Sequence, residues 1–361
     1  MIPYYNLFQY LQKNPNANYS QMAKELKITD KTAKAHYQYL VKNGYIIGVR
    51  AKYKPESIGL ETNSYILSIS DLKRVEIIEK LADFHYFTTF RNRILGSVQG
   101  LFLQFDVPST TSKYLDALFL KLQEYNIIEH FEKIPSLQIK VSTQPEFQFF
   151  DNEIGKWTWE IDSWEKEYHE TSAKIPEKLP KKRNIMKQLR ELDLKLLHKL
   201  TRGTKVPHVK LAKEFDATPV QITRRIHFLN NNLLNYRLLY TQSKIQPVDL
   251  VFFRGKCSEV KKNRLYNLIT KHPVPFDTGF ELLDDGFIWR MNIPPSYISQ
   301  FGEFLWSICV NLQFYHFDYS KSMLYYFYDG NFDSEKKVWK ATKTELYDLP
   351  LEWLKKNQNG I

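Results

Sequence analysis

The stretch LAKEFDATPVQITRRIHFLNNNLL, residues 211–234, predicts two short helices joined by a tight turn. Leu211 and Phe215 lie one helical turn apart and give the first helix an apolar stripe. Thr218 suits an N-cap, because its hydroxyl can accept a hydrogen bond from an unpaired amide of the first turn. Pro219 suits the first helical position, where its missing N–H costs no hydrogen bond. The stretch therefore predicts a helix-turn-helix.

The second of these helices has one apolar and one polar face. Its apolar residues recur at helical spacing, at Ile222, Ile226, Leu229 and Leu233. Its other face carries Gln221, Thr223, Arg224, Arg225 and His227. Such a helix can rest on a small core and enter a DNA major groove, although charged amphipathic helices are also common in proteins that bind no DNA.

The same pattern occurs near the N-terminus, where residues 20–40 superpose without a gap on residues 209–229. Identical residues coincide at Ala23, Lys24, Glu25 and Thr29, which fall on Ala212, Lys213, Glu214 and Thr218. Core positions coincide as well, with Ala33, Tyr37 and Leu40 on Ile222, Ile226 and Leu229, and with Leu7, Phe8 and Leu11 on Leu196, Leu197 and Leu200. The chain is therefore predicted to hold two three-helix units.

Each unit is followed by alternating polar and apolar residues, at 45–54 and 234–244, as is typical of the β-wing of a winged helix. Gly44 is expected to end the first recognition helix in the left-handed conformation, and Asn232 to end the second in the same way. Both units resemble the winged helix-turn-helix of the Lrp/AsnC (feast/famine) transcription regulators, in an archaeal form. The first copy departs from that pattern, with Lys34, Ala35 and His36 where Thr223, Arg224 and Arg225 stand in the second.

The residues after each unit predict a ferredoxin-like sandwich with the order β-α-β-β-α-β. In the first half these elements are expected at residues 63–70, 71–84, 85–94, 100–107 and 109–128, with strands following to Val141. In the second half they are expected at residues 248–253, 259–271, 276–283, 286–293, 296–312 and 314–318. The resemblance implies the same fold, since this sandwich is the effector and dimerisation domain of the Lrp/AsnC family.

Both halves are predicted to end in an added β-hairpin, because Phe149-Phe150-Asp151 with Trp157 matches Phe327-Tyr328-Asp329 with Trp339. The predicted fold class is thus α+β, a tandem repeat of winged helix-turn-helix and sandwich. The predicted boundaries are residues 1–60 and 61–167 for the first half, 168–184 for a linker, 185–245 and 246–345 for the second half, and 346–361 for a C-terminal tail with a frayed end. The two sandwiches are expected to pair within the chain as a pseudo-dimer.

Positive charge is concentrated in the two winged-helix units. The net charge is +11, but residues 1–60 hold nine Lys and Arg against three Asp and Glu, and residues 181–240 hold fourteen against four. The rest of the chain is therefore net acidic, as expected if only the winged helices face phosphate. The chain shows no long apolar run and no signal-peptide layout, which predicts a cytoplasmic protein without a membrane span. Cys257 and Cys309 are predicted to be reduced thiols.

No catalytic motif is evident. GxGxxG, GxxxxGK[ST], HExxH and GxSxG are all missing, and the pair Asp284-Asp285 precedes Gly286 in a predicted hairpin turn. Trp157, Trp159 and Trp164 are expected to pack on the sheet rather than to stack on nucleotides. The sequence therefore predicts neither an enzyme nor a cofactor or metal site.

The favoured function is a transcription regulator that binds specific double-stranded DNA. Gln221, Thr223 and Arg224 are assigned to base edges, Arg225, Lys213 and Arg237 to phosphate, and His227 to DNA or solvent. Lys31, Thr32, Lys34, Ala35 and Gln38 are the corresponding residues of the first copy. A small-molecule effector and a homodimer are further partners that the resemblance implies.

Two alternatives remain open at this point. Sirohaem decarboxylases also resemble a winged helix joined to a ferredoxin-like domain, and they bind a tetrapyrrole with histidine and arginine instead of DNA. The second alternative is a protein-interaction module that has lost DNA contact. Because architecture does not fix function, the choice among the three depends on the site.

Overall fold

The computed structural model describes residues 1–174, 183–203 and 206–357. Its N-terminal unit is a winged helix-turn-helix made of α1 (Tyr5–Lys13), α2 (Tyr19–Leu26), α3 (Asp30–Lys42) and the strand β1 (Ile46–Tyr53). Thr29 caps α3 by accepting a hydrogen bond from the Thr32 amide at 3.1 Å. Gly44 follows α3 with a φ of 69°, so both the predicted cap and the predicted end of this helix are confirmed.

The first sandwich follows directly. It comprises β2 (Glu61–Ser68), α4 (Leu72–Phe84), β3 (Thr88–Gly96), β4 (Gly100–Val107), α5 (Ser112–Glu124), β5 (His130–Ile134) and β6 (Ser136–Thr143). The strand order is β5-β2-β4-β3, and neighbouring strands are antiparallel. Helices α4 and α5 bury Ile78 and Leu115 against Tyr65, Leu103 and other residues on one face of this sheet. The predicted ferredoxin-like fold is confirmed.

A short hairpin and a helix end the first half, namely β7 (Phe150–Asp151), β8 (Lys156–Trp157) and α6 (Ile161–Glu170). Tyr168 lies in the last turn of α6 and is buried, so the linker that was predicted to begin there begins after Glu170. Residues 175–182 of the predicted linker lie outside the described residues.

The second winged unit comprises α7 (Glu191–Arg202), α8 (His208–Glu214), α9 (Pro219–Asn232) and β9 (Leu234–Tyr240). Thr218 and Gln221 form a reciprocal capping box at the start of α9, which confirms the predicted cap. The prediction for Asn232 is wrong, because this residue is still helical. Its side chain donates to the Phe228 carbonyl at 2.8 Å, and the helix ends at Leu233 with a negative φ.

The second sandwich repeats the first with β10 (Asp249–Lys256), α10 (Glu259–Lys271), β11 (Thr278–Leu283), β12 (Gly286–Ile293), α11 (Pro295–Ile308) and β13 (Asn311–Phe317). Its strand order, β13-β10-β12-β11, is the same ferredoxin-like order. The chain ends with β14 (Met323–Leu324), β15 (Phe332–Asp333), β16 (Val338–Trp339) and α12 (Leu349–Asn357).

The two terminal hairpins correspond, but not through the residues that were predicted. Phe150 pairs with Trp157, and Phe332 pairs with Trp339. The counterpart of Phe150-Asp151 is therefore Phe332-Asp333 and not Phe327-Tyr328-Asp329. The predicted C-terminal tail at 346–361 is corrected in its first part, because Leu346 and Leu354 are fully buried and α12 extends to Asn357. The end of that tail, residues 358–361, lies outside the described residues.

Strands β1 and β9 pair with each other, so the two winged units share one antiparallel ribbon instead of having a wing each. The pairing runs from Ile46 opposite Tyr240 to Tyr53 opposite Leu234. One face of the ribbon buries Val49, Ala51 and Leu238. Because side chains alternate along a strand, the residues between them point to the other face.

Within the described residues, the two sandwiches form one ten-stranded sheet. β3 pairs with β13, and β6 pairs with β11. The inner faces of the two halves meet in an aromatic cluster in which Phe102 lies 5.2 Å from Phe252 and 5.5 Å from Phe317, measured between ring centroids. The two sandwiches thus pair within the chain.

The halves also exchange their last helices. Trp164 of α6 packs on Phe304 of the second sandwich at 5.5 Å and donates to the His272 carbonyl at 2.8 Å. Conversely, Trp353 of α12 stacks on Phe84 of the first sandwich at 5.7 Å. Trp157, Trp159 and Trp164 are all buried, as predicted. None of the helices in residues 1–174, 183–203 and 206–357 combines the length and apolar character needed to cross a lipid bilayer.

Candidate functional site

The residues predicted to contact DNA lie mostly on exposed helix surfaces. Lys213, Gln221, Thr223, Arg224 and His227 are exposed in the second unit, and Lys31, Lys34, Ala35 and Gln38 are exposed in the first. Several are already hydrogen-bonded within the protein. Thr223 accepts from or donates to His208 at 2.8 Å, His227 contacts Asn231 at 3.0 Å, and half-buried Thr32 takes part in the cap with Thr29.

Arg225 is not on the outer surface, and its predicted phosphate role is corrected. Its Nε donates to Asp193 at 2.6 Å, and its side chain is 13% exposed. The Asp193 carboxylate is fully buried and also accepts from the Arg190 amide at 2.7 Å. A buried carboxylate needs a cation, and breaking such a pair costs about 3–5 kcal/mol. Arg225 therefore stabilises the core of the second winged unit.

Arg237 also points inward. On the shared ribbon it lies directly opposite Arg50, and Lys52 projects from the same face two residues further along. Like charges directly opposite one another destabilise an antiparallel pair. Arg237 donates to Asp277 at 3.0 Å and to Ser142 at 2.6 Å, both on the adjoining sheet. Its predicted phosphate contact is therefore corrected, since its guanidinium faces the sandwich.

A fourth cation meets these three from the sheet. Arg290 of β12 lies on the inner face, where its guanidinium carbon is 5.7 Å from the centre of the Phe90 ring. Among the described residues, neither the Arg290 guanidinium nor the Lys52 ammonium has a hydrogen bond or an ion pair. We call Arg50, Lys52, Arg237 and Arg290 the ribbon cation cluster.

Two carboxylates border the cluster, and both have protein partners. Asp277 accepts from Arg237, as described above. Asp106 accepts from Tyr53 and from Thr62, each at 2.8 Å, and its burial raises the pKa of its carboxyl group. Four cations against two carboxylates leave an excess of positive charge between the ribbon and the sheet. Such a charge is costly unless an anion neutralises it.

The surroundings of Lys52 disfavour its positive charge. The protein around it lowers the pKa of its ammonium from 10.5 to about 8, first through desolvation and then through repulsion by Arg237 and Arg290. Desolvation also lowers the pKa values of Arg50 and Arg290. The Lys52 side chain is nevertheless accessible to solvent. An anion from solvent can therefore reach it.

A separate cleft of about 680 Å³ lies between α3, β1 and α7. Three of its basic side chains already have carboxylate partners, with Lys199 2.8 Å from Glu214, Lys195 2.6 Å from Glu191 and His198 3.3 Å from Asp329. The Arg202 guanidinium lies 5.4 Å from the Tyr326 ring. Although this cleft is large, it offers less unsatisfied positive charge than the ribbon cation cluster.

Other reactive groups do not assemble into a site. Cys257 and Cys309 are free, half-buried thiols. Among the described residues, no group of three or more His, Cys, Asp or Glu side chains could hold a metal ion.

Comparisons with known proteins give a partial match for the first unit and a full-length match for the fold. A family model described as winged helix-turn-helix DNA-binding matches residues 5–47. The siroheme decarboxylase NirDL matches with 11% identity and a TM-score of 0.58, over 97% of this chain and 98% of that one. The same enzyme in co-complex with an iron-uroporphyrin III analogue matches with 10% identity and a TM-score of 0.59, over 99% of each chain.

Other similarities are shorter. AsnC of E. coli matches with 18% identity and a TM-score of 0.31, over 37% of this chain and 88% of that one. The similarity to Lrp/AsnC regulators is therefore partial. No curated protein matches this sequence.

The full-length matches correct two predictions. The sequence predicts a transcription regulator that is not an enzyme, whereas the architecture matched along the whole chain is that of an enzyme. Both predictions are therefore wrong on this comparison. Positive charge counted along the sequence misleads for a physical reason. Arg225 and Arg237 of the basic segments are paired with carboxylates of the protein, and Arg50 and Lys52 project from the same ribbon face as Arg237.

The ribbon cation cluster was not predicted as a site, but its signals are present in the sequence. Arg50 and Lys52 alternate with Val49 and Ala51, which is the pattern of a strand with one charged face. Arg290 stands in the largely apolar stretch FIWRMNI, residues 287–293. What the sequence alone could not show is that the two strands pair with each other and so bring these cations together.

Proposed function

We propose that this protein binds an iron tetrapyrrole with several carboxylate side arms and decarboxylates it, as the name siroheme decarboxylase describes for the proteins of the same fold. The observation that carries this proposal is the ribbon cation cluster. Its Lys52 and Arg290 make no hydrogen bond and no ion pair among the described residues, and the nearby carboxylates Asp277 and Asp106 only partly offset the positive charge. The substrate class follows from this need for an anion, and the shared architecture agrees with it.

The chemistry of the cluster suits carboxylates. Guanidinium groups bind carboxylates through two parallel hydrogen bonds, and such charge-assisted bonds are about twice as strong as neutral ones. Arg290 lies over the Phe90 ring and Arg50 lies 4.9 Å from the Tyr326 ring, so the cations are held against flat apolar surfaces. A flat macrocycle with anionic arms presents the complementary combination of an apolar face and a charged edge.

Decarboxylation breaks the bond between the carboxylate carbon and the neighbouring carbon, and CO₂ leaves. The electron pair of that bond stays on the neighbouring carbon, which then takes up a proton. Arginine keeps its proton at neutral pH, whereas Lys52, with a pKa of about 8, can release one. We assign the arginines of the cluster to holding carboxylates, and Lys52 to contacting the carboxylate that leaves and to donating the proton that replaces it.

The proposal is tested by incubating the purified protein with sirohaem and measuring the mass of the tetrapyrrole and the CO₂ released. We expect the tetrapyrrole to lose CO₂ with the wild-type chain and to remain unchanged with Lys52→Met. The matched control is Lys54→Met, which removes an exposed lysine just beyond the same strand. If the wild-type chain bound sirohaem but released no CO₂ and left its mass unchanged, the decarboxylase proposal would be refuted.

A further inference from the structure

The two arginines that face each other across the shared ribbon have unequal partners. Arg50 of β1 lies directly opposite Arg237 of β9, so both side chains project from the same face. Arg237 is held by a carboxylate, since its guanidinium lies 3.0 Å from Asp277. In the parts of the chain that the structure describes, Arg50 has no carboxylate partner, and its hydrogen bond to the Tyr325 carbonyl is long, at 3.5 Å. The protein therefore leaves the charge of Arg50 unneutralised.

An aromatic ring takes the place of a carboxylate at Arg50. Its guanidinium carbon lies 4.9 Å from the centre of the Tyr326 ring. A guanidinium within about 6 Å of an aromatic ring is attracted to the electron-rich face of that ring. Unlike a carboxylate, the ring has no net charge. Tyr326 can therefore fix the direction of the Arg50 guanidinium while its positive charge stays available to a ligand.

The segment that carries Tyr326 is anchored without the help of its ring. The Tyr326 side chain is 47% exposed. Just before it, β14 pairs with β3, and the Tyr325 amide donates to the Thr89 carbonyl at 3.0 Å. The Tyr325 hydroxyl also accepts a hydrogen bond from Arg91 at 2.8 Å. Removing the Tyr326 ring therefore leaves these anchors in place and changes mainly its contacts with arginine.

A second arginine contacts the same ring. The Arg202 guanidinium lies 5.4 Å from the centre of the Tyr326 ring. Arg202 is exposed, comes from α7 and lines the separate cleft beside His198. Arg50 instead belongs to the ribbon cation cluster, where repulsion from Arg237 contributes to its lowered pKa, after desolvation. Only the contact with Arg50 connects Tyr326 to the cluster.

We propose that Tyr326 is a positioning residue of the ribbon cation cluster, which orients the Arg50 guanidinium toward a carboxylate of the ligand without neutralising it. An arginine that is already oriented loses less freedom when the ligand binds, and more of its interaction energy then contributes to affinity. The identity of the ligand rests on the proposed function, whereas the positioning role rests on the unequal partners of Arg50 and Arg237.

The experiment is a titration of the full chain with iron uroporphyrin III, followed by visible absorption. Tyr326→Ala should weaken binding about three- to tenfold, as expected for loss of a cation–π contact. Tyr326→Phe should bind like the wild type, because the contact is made by the ring and not by the hydroxyl group. The matched control is Tyr328→Ala, which removes a similarly exposed ring that stacks on Tyr86 at 4.9 Å and should leave the affinity unchanged.

A double-mutant cycle determines whether Tyr326 acts through Arg50. Arg50→Gln should weaken binding about ten- to a hundredfold, as expected for loss of a hydrogen bond to a charged group. Adding Tyr326→Ala to Arg50→Gln should weaken binding no further, whereas adding it to Arg202→Gln should have its full effect. An undiminished effect of Tyr326→Ala in the Arg50→Gln background would overturn the inference. Wild-type affinity in the single variant Tyr326→Ala would overturn it without the cycle.

The failure of this inference differs from that of the proposed function, because one is measured as affinity and the other as CO₂ release. Binding that is weakened by Tyr326→Ala through Arg50, without CO₂ release from sirohaem, would support the positioning role and refute the reaction. Release of CO₂ by a wild-type chain whose affinity does not respond to Tyr326→Ala would do the reverse.

Discussion

Replacing Lys52 by methionine should make the ligand-free protein more stable. Lys52 has a lowered pKa because the folded protein disfavours its charge, with Arg237 and Arg290 repelling it and Asp277 and Asp106 only partly compensating. One pKa unit corresponds to about 1.4 kcal/mol, so a pKa of about 8 instead of 10.5 implies a cost of up to about 3 kcal/mol at neutral pH. The side chain is open to solvent, and screening reduces this to about 1–2 kcal/mol.

The direction in which this cost changes with pH follows from the protonation states of Lys52 in the folded and unfolded chain. Below about pH 8 the lysine is charged in both the folded and the unfolded chain, so the full cost is present. Between about pH 8 and 10.5 the folded chain releases the proton that the unfolded chain still holds, and the cost is progressively relieved. The stability difference between Lys52→Met and the wild type should therefore be largest at pH 7 and shrink as the pH rises through this range.

The assay is urea denaturation of the ligand-free proteins at several pH values, with Lys54→Met as the control. Methionine keeps the length of the side chain and removes the charge, so packing is nearly preserved. We expect the Lys52 variant to gain about 1–2 kcal/mol at pH 7 and to lose ligand affinity, as is common when a binding site is optimised for stability. The opposite result would be a Lys52→Met protein that is less stable than the wild type at pH 7, by an amount that does not change with pH. It would show that the folded protein accommodates the Lys52 ammonium well and that the site is not strained.

Three further predictions concern other parts of the chain. Arg225→Ala should lower the free energy of unfolding by about 3–5 kcal/mol, because it leaves Asp193 buried without a cation. The control Arg224→Ala should change it by less than about 0.5 kcal/mol. Equal effects of the two variants in denaturation would contradict the structural role of Arg225. Leu354→Ala should lower the free energy of unfolding by about 2–5 kcal/mol, because this fully buried residue of α12 packs on the first sandwich. The control is Lys355→Ala, at an exposed position of the same helix. An unchanged free energy of unfolding in Leu354→Ala would mean that α12 does not pack there. The affinity for iron uroporphyrin III should fall as the pH rises above about 8, because Lys52 loses its charge. Visible absorption measures this affinity at each pH. If the affinity stayed constant from about pH 7 to about pH 9.5, Lys52 would be excluded from the carboxylate contacts.

Local patterns in the sequence predict the secondary structure and the order of the elements well. The capping residues Thr29 and Thr218 start their helices where expected, and the predicted range 259–271 coincides with α10. These features depend on hydrogen bonds within one turn and on apolar periodicity, both of which can be read from neighbouring residues.

Contacts between distant segments could not be predicted in the same way. Nothing local to α6 or α12 indicates that each packs on the sandwich of the other half. The same holds for Arg225, whose partner Asp193 lies in another helix, and for Arg237, whose strand pairs with a strand of the first unit. Charge counted along the sequence therefore overestimated the positive surface, because it could not separate outward from inward side chains.

An anionic tetrapyrrole should bind at the ribbon cation cluster. The most direct measurement is a crystal structure of the protein with iron uroporphyrin III, in which anomalous scattering locates the iron. We expect the macrocycle between the ribbon and the sheet, with its carboxylates on Arg290, Arg237 and Lys52. An iron position in the cleft beside His198 and Arg202, or against the exposed face of α9, would contradict it.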